Sequence, residues 1–231
     1  MRNFTTTLID RFDWAKDAAA FRFERPDSYD FIAGQYALLG LHTDQGLVTK
    51  PFTIASAPAD PLLEFTTRIS SSAFKRALGR LIPGDPIEIS AAAGRFVLPA
   101  RAHRVAFLAG GVGITPARSI LRDVVQRHVS LAATVFYGNR GPECVPYLTE
   151  LTAMAAENVR LVLVLERPDD GWMGEVGFIT PQLVRATGVL DSAALWMVSG
   201  PPVMVEAMES VLDQLGIPAE ERMVERFGAN R

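Results

Sequence analysis

Cysteine is nearly absent from this chain: Cys144 is the single one in 231 residues. One thiol excludes an internal disulfide, and with it the disulfide scaffolds of small secreted domains. The 3 histidines, His42, His103 and His128, lie far apart and share no metal-binding spacing with Cys144, so no metal centre is expected. A charge excess of one sign is missing too. The 23 basic and 26 acidic residues leave a net charge of -3, without the basic surplus that nucleic-acid binding demands. No apolar run is long enough to span a bilayer, and MRNFTTTLIDRF lacks the long apolar core of a secretory signal. Neither a nucleic-acid partner nor membrane insertion is expected, and the expected compartment is the cytoplasm. Internal repeats and low-complexity tracts are also absent. A hydrophobic content of 48% is enough for packed cores and argues against disorder.

What is present has two rhythms. Residues 1–99 read as short strands. In LLEFTTRI, Leu63, Phe65, Thr67 and Ile69 alternate with Glu64, Thr66 and Arg68, the period of a half-buried antiparallel strand. AFRFER, QYALLGL and DPIEIS read the same way, and Pro83-Gly84-Asp85 reads as a turn. SAFKRALGRL predicts a short helix with Phe74, Ala77, Leu78 and Leu81 on one face.

From about residue 104 short apolar runs (VAFLAG, ATVFYG, LVLVLE, LWMVSG, MVERF) alternate with helix candidates, the pattern of a parallel sheet buried on both faces. One helix stripe is Ala117, Ile120, Leu121, Val124 and Val125, with His128 as a core or helix-end residue. A second is Met204, Ala207, Met208, Val211, Leu212 and Leu215, closed by Gly216. The expected fold is a β domain over residues 1–99, an antiparallel barrel or sandwich, followed by a doubly wound α/β domain over 100–231. The boundary falls near LPARAHR, residues 98–104.

Four stretches could carry chemistry. KPFTIAS, residues 50–56, sets a cation, a proline, an aromatic ring and a hydroxyl in succession. RISSSAFKRAL, residues 68–78, puts serines before a helix with Lys75 and Arg76 in its first turns. That suits a phosphate, although on this stretch alone plain serine capping of a helix with a solvated basic face is the favoured reading. AGGVGITPA, residues 109–117, follows a strand and opens a helix, where glycines let a phosphate approach the backbone and free N–H groups. Its pattern is G-x-G-x-x-P, without the third glycine of the usual dinucleotide fingerprint, and Pro116 fits the first helical turn. VSGPPVM, residues 198–204, repeats that strand-to-helix geometry. Ligands of open parallel sheets bind outside the carboxyl ends of the strands, so the two junctions would flank one crevice.

Taken in order, KPFTIAS, SSSAFKRAL, AGGVGITP, VSGPP and a terminal ERF resemble the ferredoxin–NADP reductase family of flavoproteins over nearly the whole chain. The resemblance implies a flavin-binding antiparallel barrel followed by a nicotinamide-nucleotide domain. It assigns FAD, or FMN, to Lys50, Pro51, Phe52 and Thr53 and to Ser71, Ser72, Ala73 and Lys75. Phe52 would lie against the flavin ring, Thr53 would bond near its N5, and Lys50 and the 71–75 segment would meet phosphate. It assigns NADPH or NADH to Gly110, Gly111, Val112, Gly113, Thr115 and Pro116, with Ser199, Gly200 and Pro201 beside them. Phe227 is the candidate for the aromatic residue that many relatives stack on the flavin, and Glu225 is a candidate polar neighbour. Lys50 and Phe52 stand where the family has Arg and Tyr, and Ser199 where it commonly has Cys. A lysine keeps the charge but loses the bidentate fork.

The implied activity is hydride transfer between NAD(P)H and the bound flavin, with Thr53 and Ser199 positioning the reacting pair. A built-in iron–sulfur module would need four cysteines. Electrons are therefore expected to pass to a separate protein such as ferredoxin, or to a small-molecule acceptor. Two further readings are a free-flavin or quinone reductase and a non-catalytic nucleotide-sensing module. Glu166 and Arg167, after LVLVLE, point opposite ways on NADH against NADPH.

Overall fold

The structure, a computed structural model, describes residues 2–15, 18–44, 46–191 and 195–228. The first half runs β1 (Asn3–Ala15), β2 (Ala18–Glu24), β3 (Tyr36–Thr43), β4 (Gly46–Thr53), β5 (Leu62–Arg68), helix α1 (Ala73–Arg80) and β6 (Pro86–Ser90). These strands form one antiparallel sheet of order β4-β3-β6-β1-β2-β5, and its two ends, β4 and β5, also touch. Leu8, Phe21, Phe23, Leu39, Ile54, Leu63, Phe65 and Ile89 fill its interior.

Three strands differ from the sequence expectation. The N-terminal stretch, notable in the sequence only for its missing signal, is the long strand β1; its threonines and aromatic residues suit a pleated surface. The KPFTIAS stretch, not among the strand runs read from the sequence, supplies Lys50 to Thr53 as the last residues of β4; Pro51 is tolerated because β4 stands at the end of the sheet order. β5 is buried on both faces, not one: Glu64 and Thr66 are only 4% and 5% exposed. Their outward face is covered by the second half of the chain.

That half runs β7 (Arg104–Gly110), α2 (Thr115–Gln126), β8 (Ala132–Asn139), α3 (Leu148–Ala153), β9 (Val159–Leu165), β10 (Glu175–Val176), α4 (Pro181–Ala186), β11 (Leu195–Gly200), α5 (Pro202–Gln214) and β12 (Arg222–Arg226). All its strand pairs are parallel, in the order β10-β9-β8-β7-β11-β12. The chain builds outward from β7 through β8 and β9, then returns to the other side of β7 with β11. The order therefore reverses between β7 and β11, the place where such sheets open a ligand crevice. Phe107, Val135 and Met197 pack on one face of the sheet; Leu108, Phe136, Trp196 and Val198 pack on the other. The interval between Ser90 and Arg104 belongs to no strand of either sheet.

Two helices correct the predicted stripes. On α5 the buried residues are Val205, Met208, Val211 and Leu212, while Ala207 is exposed, so the helix is rotated relative to the expected face. Gly216 follows it at φ 74, as a left-handed C′ glycine. On α2 three polar residues join the buried set, Thr115 at its start and Arg118 and Ser119 on the face that packs against the first half of the chain. His128 lies beyond the end of α2, exposed and at φ 53.

Candidate active site

The nucleotide half of the site is built from glycines. β7 ends at Gly110, a 3-10 turn spans Gly111–Ile114, and α2 starts at Thr115 with Pro116 in its first turn. Gly111 adopts φ 53, and a Cβ built there would have only Arg68 Nη2 nearby, at 3.6 Å. That is an open cradle, suited to a phosphate approaching the backbone. Gly113 has the opposite surroundings. A Cβ there would lie 2.4 Å from the Ser199 carbonyl oxygen and 2.6 Å from Gly200 Cα, so the ends of β7 and β11 approach through it.

Side chains lock this junction from within. Ser199 is fully buried, and its hydroxyl donates to the Gly113 carbonyl at 2.7 Å, so it ties the two strand ends together. Thr115 Oγ1 donates to the Val112 carbonyl at 3.1 Å. The Tyr137 hydroxyl, equally buried, lies 3.1 Å from the Gly111 carbonyl and 3.2 Å from that of Pro146. Burial pushes the Tyr137 phenol well above its usual pKa, which keeps it a donor to that turn. Val112 is half-buried and Pro201 exposed at the rim.

In the other half Lys50 and Pro51 are exposed, while Phe52 and Thr53 turn inward. The Phe52 ring stacks on Phe74, with centroids 5.5 Å apart and planes 23° apart. Ser72 caps α1, its hydroxyl accepting from the Lys75 N–H at 3.3 Å, so the capping reading of the serines is realised. Ser71 and Ser72 are exposed and Ala73 half-buried at that helix start. The ammonium of Lys75 does not point out toward it. It lies 4.7 Å over the Phe52 ring and donates to Thr67 Oγ1, and burial lowers its pKa to about 8.

The halves meet at strand ends. Thr53 Oγ1 lies 3.4 Å from Glu225 Oε2, across 172 residues of sequence. Glu225 on β12 is in register with Ser199 on β11. Phe227, half-buried, donates its backbone N–H to the Gly200 carbonyl at 2.8 Å. Arg68, at the end of β5, brings its Nη2 within 3.6 Å of where a Cβ at Gly111 would stand. Thr53, Arg68, Gly111, Gly113, Ser199, Glu225 and Phe227 thus gather where the ends of the two sheets meet. That junction offers a hydroxyl, a carboxylate, a guanidinium and an open glycine turn. Of these, Arg68 was missed by the motif reading, and its one sequence signal is a cation closing a strand ahead of the serine turn. Among the described residues no group of three or more His, Cys, Asp or Glu could hold a metal ion. No helix among them is long and apolar enough to cross a membrane.

Such a meeting of an antiparallel barrel with a doubly wound sheet suits a two-domain nucleotide-dependent oxidoreductase. The comparisons agree. Residues 107–210 match the oxidoreductase NAD-binding domain family. The chain is 32% identical over 220 residues to ferredoxin–NADP reductase B of Sorangium cellulosum, covering 89% of each chain. It is 29% identical over 234 residues to NADH-cytochrome b5 reductase 1 of Emericella nidulans, covering 90% of this chain and 73% of that one. A solved ferredoxin NADP+ reductase from Neisseria gonorrhoeae, with bound FAD and NADP, superposes with a TM-score of 0.85 at 22% identity, covering 98% and 99% of the two chains. The chain belongs to the ferredoxin–NADP reductase-like family of flavoprotein reductases, and it is a flavin-dependent NAD(P)H oxidoreductase.

Proposed function

We propose that the protein binds FAD along β4 and the start of α1, takes hydride from NAD(P)H bound at the β7 and β11 ends, and passes electrons to a separate electron-transfer protein. The observation that carries this reading is the meeting of Thr53 with Glu225, in register beside Ser199. It brings the end of the flavin strand to the switch point of the nucleotide sheet. A flavin there supplies a hydride acceptor that releases electrons one or two at a time. This chain's residues bind and orient. Lys50 and the exposed helix start at Ser71–Ala73 suit the cofactor phosphates, and Thr53 is placed to hold the flavin edge. Gly111 admits the nucleotide phosphates, while Ser199, through Gly113, fixes the turn that carries them. Glu225 bonds Thr53 and so orients its hydroxyl.

The acceptor is the finer question. Among the relatives, two are named for ferredoxin and for cytochrome b5 and another is a subunit of an NADH-quinone reductase, and the chain's single cysteine leaves no built-in four-cysteine cluster within it. A small one-electron carrier protein is the acceptor we favour, in the cytoplasm, with a free flavin or a quinone as the competing reading. The test takes the purified, flavin-loaded protein, identifies the chromophore released on denaturation, and follows its bleaching by NADH and NADPH. Reoxidation is then timed with ferredoxin, cytochrome b5, free FMN and a soluble quinone. Absence of any flavin after incubation with excess FAD and FMN overturns the binding site. Reoxidation by free FMN or quinone faster than by both proteins overturns the carrier reading.

A further inference from the structure

We infer that Arg118 is a positioning residue for hydride transfer, the side chain through which the nucleotide helix fixes the flavin-bearing segments; this rests on the flavin and NAD(P)H reading above. Arg118 stands in the first turns of α2, directly after the Gly111–Thr115 turn, and is only 4% exposed. Its Nη1 donates to the Ala55 carbonyl at 2.7 Å, two residues beyond Thr53. The same nitrogen lies 3.3 Å from Glu64 Oε1 on β5, the strand that runs into Ser71–Lys75. Its Nε donates to Glu150 of α3 at 2.9 Å. One guanidinium on the helix assigned to the nucleotide therefore holds Ala55, just past the first flavin segment, and Glu64, on the strand that leads to the second.

The surroundings leave Arg118 little freedom. Its guanidinium lies 4.3 Å over the Tyr147 ring, and the Tyr147 hydroxyl donates to Glu64 at 2.6 Å. Arg22 reaches Glu64 from β2 at 2.7 Å. The neighbouring Ser119 adds a second grip: its hydroxyl donates to the Ser56 carbonyl at 2.7 Å and accepts from the Gly34 N–H at 3.3 Å. Ala55 and Ser56 close the KPFTIAS stretch, so its last two carbonyls are held by consecutive residues of α2. A purely stabilising ion pair could join the halves anywhere along their contact. This one holds the carbonyls of Ala55 and Ser56, next to the first cofactor segment, and the strand that leads to the second; there a misplacement of about 1 Å costs on the order of a hundredfold in rate.

Arg118→Lys and Ser119→Ala are the test variants, with Arg122→Gln as comparison. Arg122 stands one turn further along α2 and pairs with Asp60 and Glu150, away from Thr53. Each is measured for flavin content, nucleotide Kd, Tm, stopped-flow flavin reduction at saturating NADH or NADPH, and the long-wavelength absorbance of the reduced-nicotinamide–flavin complex. Hydrogen exchange across residues 50–58 is followed as a readout independent of turnover. The expected result for Arg118→Lys is tenfold or more slower reduction, weakened long-wavelength absorbance and faster exchange in 50–58, with Kd within about twofold of the parent. Ser119→Ala is expected to move the same readouts less, and Arg122→Gln, which frees Asp60 and with it the Ala57 N–H, to lower Tm and speed exchange at 57–58 only, with flavin reduction within about twofold of the parent. Parent-like reduction in a folded, flavin-loaded Arg118→Lys overturns the proposal. Should that variant not fold, parent-like reduction and exchange in Ser119→Ala overturn it instead. A parent protein that holds flavin and is not bleached by either nucleotide sinks the underlying function, a result separate from any difference among variants.

Discussion

Gly113 and Gly111 stand two positions apart and answer to different demands. At Gly113 the obstacle to a side chain is backbone, the Ser199 carbonyl oxygen at 2.4 Å, and backbone cannot rotate away. Gly113→Ala should therefore part β7 from β11 and break the Ser199 hydrogen bond. We expect it to cost tenfold or more in nucleotide affinity while flavin is retained, as read by titration of the flavin-loaded protein. Unchanged affinity for both nucleotides would exclude Gly113 from the site. Gly111 meets open space, so Gly111→Ala is limited by its φ of 53 and by what it thrusts toward an incoming phosphate. Glu166 stands just past β9, its N–H held by the Asn139 carbonyl at 2.9 Å and its carboxylate 3.9 Å from Arg167. A carboxylate at such a strand end repels a 2′-phosphate, and removing its charge frees the arginine to attract one. Glu166→Gln should shift the ratio of kcat/KM values toward NADPH by fivefold or more; an unchanged ratio would place the ribose elsewhere.

Two elements, α1 and α2, show how far the sequence could be read. The helices α1, α2 and α5 and the glycine turns that end β7 and β11 were legible, because glycine, proline and apolar period are local signals, while the short α3 and α4 gave no stripe to read. The polar face of α2 was not. Arg118 and Ser119 sit inside an otherwise apolar run, and their partners Ala55, Ser56 and Glu64 are more than fifty residues earlier. Nothing local distinguishes a cation that crosses a domain contact from one on a solvated face. The same blindness made β5 look half-buried. On α1 the inward turn of Lys75 carries a measurable consequence. Burial lowers its pKa from 10.5 to about 8, so the unfolded chain holds this proton more tightly than the folded protein. Stability from this group is therefore lowest below pH 8 and rises as pH climbs from 8 to 10.5. Lys75→Met should be more stable than the parent at pH 7 by about 1–3 kcal/mol, at roughly 1.4 kcal/mol per pKa unit. The gap should close by pH 10.5. Denaturant melts of the flavin-free protein across that range check it, and a gap that does not narrow would show that Lys75 is not held as a costly cation.

At the scale of the whole molecule, the domain contact is a chain of charges whose outer end is Asp60. Arg122 donates to both of its carboxylate oxygens, at 2.7 and 2.8 Å, Gln126 donates at 2.8 Å, and the Ala57 N–H donates at 2.8 Å. Burial alone would raise the Asp60 pKa; these donors outweigh it and hold the carboxyl below its ordinary 3.8. A carboxyl with a depressed folded pKa contributes stability above its unfolded pKa and loses it as pH falls through the folded value. Because Asp60 belongs to the barrel half and Arg122 and Gln126 to α2, that loss loosens the contact between domains, not a single core. The parent should therefore begin to lose its flavin in the acid range below pH 3.8, together with its cooperative unfolding transition. Asp60→Asn keeps the shape and the Ala57 hydrogen bond but removes the charge that Arg122 faces. We expect it to lower stability at pH 7 by about 1–3 kcal/mol, the cost of a hydrogen bond to a charged group. The difference from the parent should shrink as pH drops below 3.8, because the parent then carries a neutral carboxyl too. Urea melts read by flavin fluorescence and by far-ultraviolet circular dichroism, from pH 7 downward, supply both curves. A difference that stays constant with pH would mean that the Asp60 charge does not hold the two domains together.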